Sequence, residues 1–119
     1  MAKPKCYYAH CMAIYDTDIE NDDILVLEEL GLEVINPNQE GSHDGYKKRG
    51  MAYFEDMIAQ CDALAFRSIF NGDIPAGVAR EIKFAKQTKK PIIELPSRID
   101  KRVLSVDETR AYLHECGYR

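Results

Sequence analysis

Ile74-Pro75-Ala76-Gly77-Val78-Ala79-Arg80-Glu81-Ile82-Lys83-Phe84-Ala85 decides how this chain is read. A short apolar run, Ala63-Leu64-Ala65-Phe66, and a polar loop precede it. Together they spell strand, loop, helix. Pro75 fits the first turn of that helix, where its missing N–H costs nothing. Glu81 then lies in the first turns. An acidic side chain beside the open end of a sheet is a candidate nucleophile or base. The plainer alternative is a solvated glutamate that complements the helix dipole.

Working outward, the same alternation repeats. Cys6-Tyr7-Tyr8-Ala9 reads as a short aromatic strand. Asp18 can cap a helix to about Leu30, with Ile24, Leu27 and Leu30 at helical spacing and Gly31 as its stop. Leu32 to Ile35 is a second strand, ended by Asn36-Pro37-Asn38. The polar, glycine-bearing stretch from Gln39 to Gly45 reads as a mobile loop. A helix over roughly Lys48 to Cys61 turns Met51, Phe54, Ile58 and Cys61 inward. Asp62 to Phe66 is the third strand, Ser68 to Asp73 a loop, and the Glu81 helix runs to about Thr88. Pro91 to Leu95 is a fourth strand. Ser105-Val106-Asp107-Glu108 has the pattern of a capping box. It starts a last helix over about 105–116 that stops at Gly117.

Short apolar strands alternating with helices predict an α/β fold, a flavodoxin/Rossmann-like three-layer sandwich with a parallel sheet of four to five strands. Ligands in such sheets bind outside the carboxyl ends of the strands. The residues there are His10 to Tyr15, Asn36 to Asn38, Arg67 to Pro75, and Pro96 to Arg98. No Gly-x-Gly-x-x-Gly follows the first strand and no Walker lysine is present, which argues against a standard dinucleotide or NTP cradle.

Composition narrows the classes. The 119 residues predict a single domain over 1–119, and 45% hydrophobic content is ordinary for a globular chain. A net charge of -4 argues against a nucleic-acid polymer as partner. No apolar run approaches a membrane span and no signal-peptide core is visible, so a cytoplasmic protein is expected. Cys6, Cys11, Cys61 and Cys116 form no Cys-x-x-Cys pair. His10 beside Cys11 could be half a metal site, but no second pair has ligand spacing, so no metal and no cofactor are expected. Lys86, Lys89 and Lys90 read as last-turn cations. Tyr112 and Tyr118 read as packing or interface residues rather than base-stacking ones.

Tyr7-Tyr8-Ala9, Asn36-Pro37, Cys61-Asp62-Ala63-Leu64, Gly77 four residues before Glu81, and Ala85 four residues after it form an ordered set. Over about residues 5 to 96, the pattern resembles the nucleoside 2-deoxyribosyltransferase-like superfamily, which includes the deoxynucleoside-monophosphate N-glycosidases. The resemblance implies a nucleoside or nucleotide as small-molecule partner and cleavage or transfer at its N-glycosidic bond. It implies Glu81 as nucleophile, Tyr7 as the residue orienting that carboxylate, and Asp56 as the aspartate assisting proton transfer. It also implies a homodimer or higher homo-oligomer. His10, Met12, Ser68, Asp73 and Gly77 are the candidate substrate contacts. Arg67 and Ser68 could grip a phosphate.

The sequence departs from the pattern at three places. Pro75 stands where an Asp or Ser is usual before the glycine. His10-Cys11-Met12-Ala13-Ile14 has no glycine where the nucleotide hydrolases have a phosphate loop. Lys83 replaces a small residue. These departures favour, as the alternative, a module of the same fold that binds a nucleotide-derived ligand without cleaving it.

Overall fold

A computed structural model describes residues 3–69, 72–96 and 104–118. The chain runs β1 (Lys5–Ala9), a 3-10 turn (Met12–Ile14), α1 (Asp18–Glu29), β2 (Glu33–Ile35), α2 (Ser42–Arg49), α3 (Met51–Ala59), β3 (Ala63–Phe66), α4 (Ala76–Gln87), β4 (Ile92–Glu94) and α5 (Val106–Glu115). The described strands form one four-stranded sheet in the order β2-β1-β3-β4. Every pairing is parallel, with Tyr7 opposite Ile35 on one side and Leu64 on the other. This is the α/β sandwich expected.

Strand alternation sorts the core into two layers. Cys6 and Tyr8 of β1 point to the face covered by α1, where they meet Leu27, Ala63, Ala65 and Leu95. Tyr7 and Ala9 point to the opposite face, against Ile58 of α3 and Val78, Ile82 and Ala85 of α4. Helices therefore cover both faces. The chain moves from β1 to β2 on one side and to β3 and β4 on the other, so the order reverses beside β1. That reversal opens a crevice at the carboxyl ends of the strands.

Three local expectations are corrected. Thr17, not Asp18, caps α1, its hydroxyl accepting from the Glu20 amide at 3.4 Å. Pro75 precedes α4 as its cap residue rather than entering its first turn. The loop expected over Gln39 to Gly45 is helical from Ser42, and the helix expected from Lys48 is broken at Gly50. Gly50 sits at φ 63 and ψ -147, a conformation that side chains resist. Gly45 has a different reason. A Cβ there would lie 2.4 Å from the Tyr53 ring, so the absent side chain is what lets α3 press against α2.

The capping box forms as expected. Ser105 Oγ accepts from the Glu108 amide at 3.1 Å, and Glu108 Oε1 accepts from the Ser105 amide at 3.2 Å. Yet α5 buries no residue. Tyr112 and Tyr118 are 58% and 78% exposed, so neither packs into the core. Of the Pro96–Arg98 strand end, residues 97 and 98 lie outside the described residues. No helix among the described residues is long and apolar enough to cross a membrane.

Candidate active site

α4 carries its carboxylate to the sheet by helical spacing. Val78, Ile82 and Ala85 face the core, and Glu81 falls on the same buried side. Glu81 is only 6% exposed and Tyr7 wholly buried. The Tyr7 hydroxyl donates to Glu81 Oε2. Burial pushes the Glu81 carboxyl up, the Tyr7 hydrogen bond opposes that rise, and the charge of Glu55 adds to it. The result is a pKa of about 7. Glu81 is the sixth residue of α4, beyond the first turn where the helix dipole acts most strongly. Burial in turn pushes the Tyr7 phenol well above its ordinary range, with the Glu81 charge next in importance, so Tyr7 stays a donor.

The other face of β1 is built differently. Tyr8 Oη donates to Asp23 at 2.6 Å, and Arg67 grips the same carboxylate through Nε at 2.8 Å and through a second nitrogen. Arg67 also donates to the Pro96 carbonyl. Burial lowers the Arg67 pKa, but the hydrogen bonds and charge of Asp23 more than reverse this. The Arg67 side chain is 3% exposed and committed to Asp23, so its expected role as a phosphate grip is not what the structure shows.

His10 ties the end of β1 to Glu20 of α1, which in turn holds Asn38 after β2. Its Nδ1 lies 2.9 Å from the Tyr8 carbonyl, which can only accept. Its Nε2 lies 2.7 Å from Glu20. Burial raises Glu20, but hydrogen bonds from His10 and Asn38 outweigh it and bring its pKa below the ordinary value. Asn38 Nδ2 reaches both Glu20 oxygens, at 3.2 and 3.1 Å. The imidazole stacks on Tyr8 at 3.8 Å and tilts against Tyr15 at 4.9 Å.

Above these groups lies a cavity of about 540 Å³. That is a usual size for a small-molecule site. Tyr7 and Glu81 line it with Gly77 and Val78 from α4. The β1 loop adds His10, Cys11, Met12 and Tyr15. The segment after β2 and the start of α2 add Pro37 to Gln39, Ser42, His43 and Tyr46, and α3 adds Met51 and Phe54. Among the described lining residues Glu81 is the sole carboxylate, and there is no lysine or arginine. Tyr15 is held near Glu81: burial first, and then the Glu81 charge, push its phenol up to about 12.

The sequence candidates divide accordingly. Glu81, Tyr7, His10, Met12 and Gly77 meet in the cavity. Asp56, Ser68 and Asp73 do not line it. Asp56 is a correction: it points to solvent and pairs with Arg49, both side chains more than half exposed. The face of α3 that meets the cavity carries Met51 and Phe54 instead. Ser68 is buried elsewhere, and Asp73 is exposed, with its carbonyl accepting from the Ile69 amide. Sequence reasoning missed Gln39, Ser42, His43 and Tyr46. The signal available was their place just after β2, but their polarity read as loop. No group of three or more His, Cys, Asp or Glu residues able to hold a metal occurs among the described residues.

The fold is shared with a solved nucleotide N-glycosidase. The CMP N-glycosidase BcmB of Clostridium botulinum superposes with a TM-score of 0.54 at 22% identity, over 90% of this chain and 80% of that one. No protein-family model and no curated protein matches the chain.

Proposed function

We propose that the chain cleaves the N-glycosidic bond of a (deoxy)nucleoside or nucleoside monophosphate through a glycosyl-enzyme on Glu81. The observation that carries this reading is the Tyr7–Glu81 pair: a buried carboxylate, facing a ligand-sized cavity, without a cation to neutralise it among the described residues. The likeness in fold to a CMP N-glycosidase supports it. Glu81 attacks the anomeric carbon, and the carbon–oxygen ester forms as the carbon–nitrogen bond breaks. The bonding pair leaves with the base, which takes a proton from solvent. Water then adds to the anomeric carbon, the ester pair returns to Glu81, and the water's proton passes to solvent. A second base in place of water would give transfer.

Glu81 must be ionised to attack. With its pKa at about 7, the free protein is half-competent near neutrality and gains activity as pH rises. Tyr7 donates to the carboxylate and holds one oxygen, leaving the other to react.

A second reading is a module that binds such a ligand without cleaving it. The absence of lysine and arginine from the described lining favours it, together with Pro75 before Gly77. One experiment separates the two. Purified protein and Glu81→Ala are incubated with deoxynucleosides and their monophosphates, with and without acceptor base, and products are read by chromatography. Base release by wild type alone establishes the enzyme. Ligand-dependent stabilisation with substrate recovered intact establishes the module.

A further inference from the structure

The lining of the Glu81 cavity is charged in one sense and otherwise apolar. Among its described residues Glu81 is the sole carboxylate, and no lysine or arginine is present. His10 also lines it, but both ring nitrogens are taken, one by the Tyr8 carbonyl and one by Glu20. Any charge on that ring is met by the Glu20 carboxylate. His43 is exposed, where water and salt screen its charge. The walls carry four aromatic rings, Tyr7, Tyr15, Tyr46 and Phe54, with Met12 and Met51 beside them. A carboxylate set among aromatic faces attracts a cation, through its own charge and through the negative faces of the rings. That preference belongs to the lining as a whole and holds whichever way a ligand lies in it.

The chemistry of departure points the same way. When ionised Glu81 displaces a neutral base, its negative charge passes to that base. No lysine, arginine or second carboxylic acid among the described lining residues is there to receive or neutralise it. The Tyr7 hydroxyl is committed to Glu81. Tyr15 is a poor acid, because burial and the Glu81 charge push its phenol up to about 12. Asp56 faces solvent beside Arg49. A base that already carries a positive charge needs none of these groups. The Glu81 oxygen bonds to the anomeric carbon, the carbon–nitrogen pair withdraws onto the base, and both ester and base are neutral. No proton is required for that step. Water then adds to the anomeric carbon, the ester pair returns to Glu81, and one proton passes to solvent. In an apolar surround, cancelling two charges is favoured over moving one onto an unpaired group.

We propose that the substrate is an N-glycoside whose base is already cationic, a pyridinium or an N-alkylated purine, held as a cation by Glu81 and the aromatic walls and released as a neutral base. This inference rests on the nucleoside reading above and narrows its substrate class. It also accounts for a cavity whose described lining holds a nucleophile and no second carboxylate to protonate a leaving group.

Nicotinamide and cytosine are six-membered rings of similar size, the first cationic when glycosylated and the second neutral. Each is offered to wild type and to Glu81→Gln as the riboside and as the 2′-deoxyriboside. Base release above the uncatalysed rate is read by chromatography. With the same sugar, kcat/KM for nicotinamide release is expected to exceed that for cytosine release by at least about a hundredfold, the scale of one missing group that stabilises developing charge. Glu81→Gln is expected to remove the release. A site that protonates a departing base levels the difference between the two, and this one preserves it. A smaller ratio overturns the cationic substrate, while Glu81-dependent release of cytosine upholds the enzyme reading. Release that survives Glu81→Gln overturns both. If neither base is released, the enzyme reading falls for these substrates and the melting temperature decides the rest. A rise with the nicotinamide glycosides alone, absent in Glu81→Gln, supports the cation site. A rise shared with the cytosine glycosides, or no rise, overturns it.

Discussion

Tyr7 and Tyr8 are neighbours on one strand, both wholly buried, and each donates its hydroxyl to a buried carboxylate. On the Tyr8 side Arg67 supplies a positive charge at two points, and Asp23 is locked into a closed ion pair. On the Tyr7 side no lysine or arginine lines the cavity among the described residues, and Glu81 opens to it. Its proton affinity rises until it titrates at about 7. The same donor and the same burial thus give a structural clamp on one face and a chemically available carboxylate on the other. The difference is one guanidinium.

The sharpest test of that contrast is Glu81→Gln against Asp23→Ala. Glu81→Gln is expected to lower base release by on the order of a thousandfold or more, by chromatography, with the fold retained. Asp23→Ala is expected to cost about 3–5 kcal/mol in urea unfolding, because it strands a buried guanidinium. If Asp23→Ala proved mild and Glu81→Gln unfolded the protein, the two faces would have exchanged roles.

The pH dependence separates them further. Native Glu81 holds its proton more tightly than the unfolded chain, whose value is near 4.5. Its contribution to stability is therefore complete below that value and lost as pH rises through about 7. The swing is on the order of 3 kcal/mol, from a raised pKa at about 1.4 kcal/mol per unit. Unfolding midpoints of wild type and Glu81→Gln across pH 4 to 8 should diverge accordingly. A difference flat with pH would place the Glu81 pKa near its ordinary value.

Tyr7→Phe is a smaller perturbation. It removes the hydrogen bond that favours ionised Glu81, so the acid limb of the pH–rate profile shifts to higher pH. Activity at neutrality should fall by about 10- to 100-fold. An unshifted limb would mean that Tyr7 only fills space.

The smallest expected effect is that of Asp56→Ala. An exposed pair with Arg49 contributes about 0–1 kcal/mol, and turnover should be unchanged. A large loss of activity would restore Asp56 to the site.

Much of the fold was legible because its signals are local. The apolar runs at β1 and β3, the proline before α4, and the Ser105 capping box each specify themselves within a few residues. The nucleophile candidate was legible for the same reason, since α4 carries Glu81 on its inward face. α2 was not. Its sequence, with Gly45 and a run of charges, favours a loop, and only the Tyr53 ring against Gly45 and Tyr46 against Phe54 give it a place. Asp56 was misplaced although the periodicity was available. It lies about 200° around α3 from Phe54. A helix that turns Phe54 inward must turn Asp56 out.

Ser42 is the single buried residue of α2, and the helix is otherwise fastened by glycine-permitted ring contacts. So small an anchorage leaves α2 with little buried contact to hold it in place. A ligand seated against α2 would order that helix, and measured tightness would be reduced by that ordering. Amide exchange across α2 would then act as a gauge of occupancy, slowing when the cavity fills and returning to its free rate when the base departs.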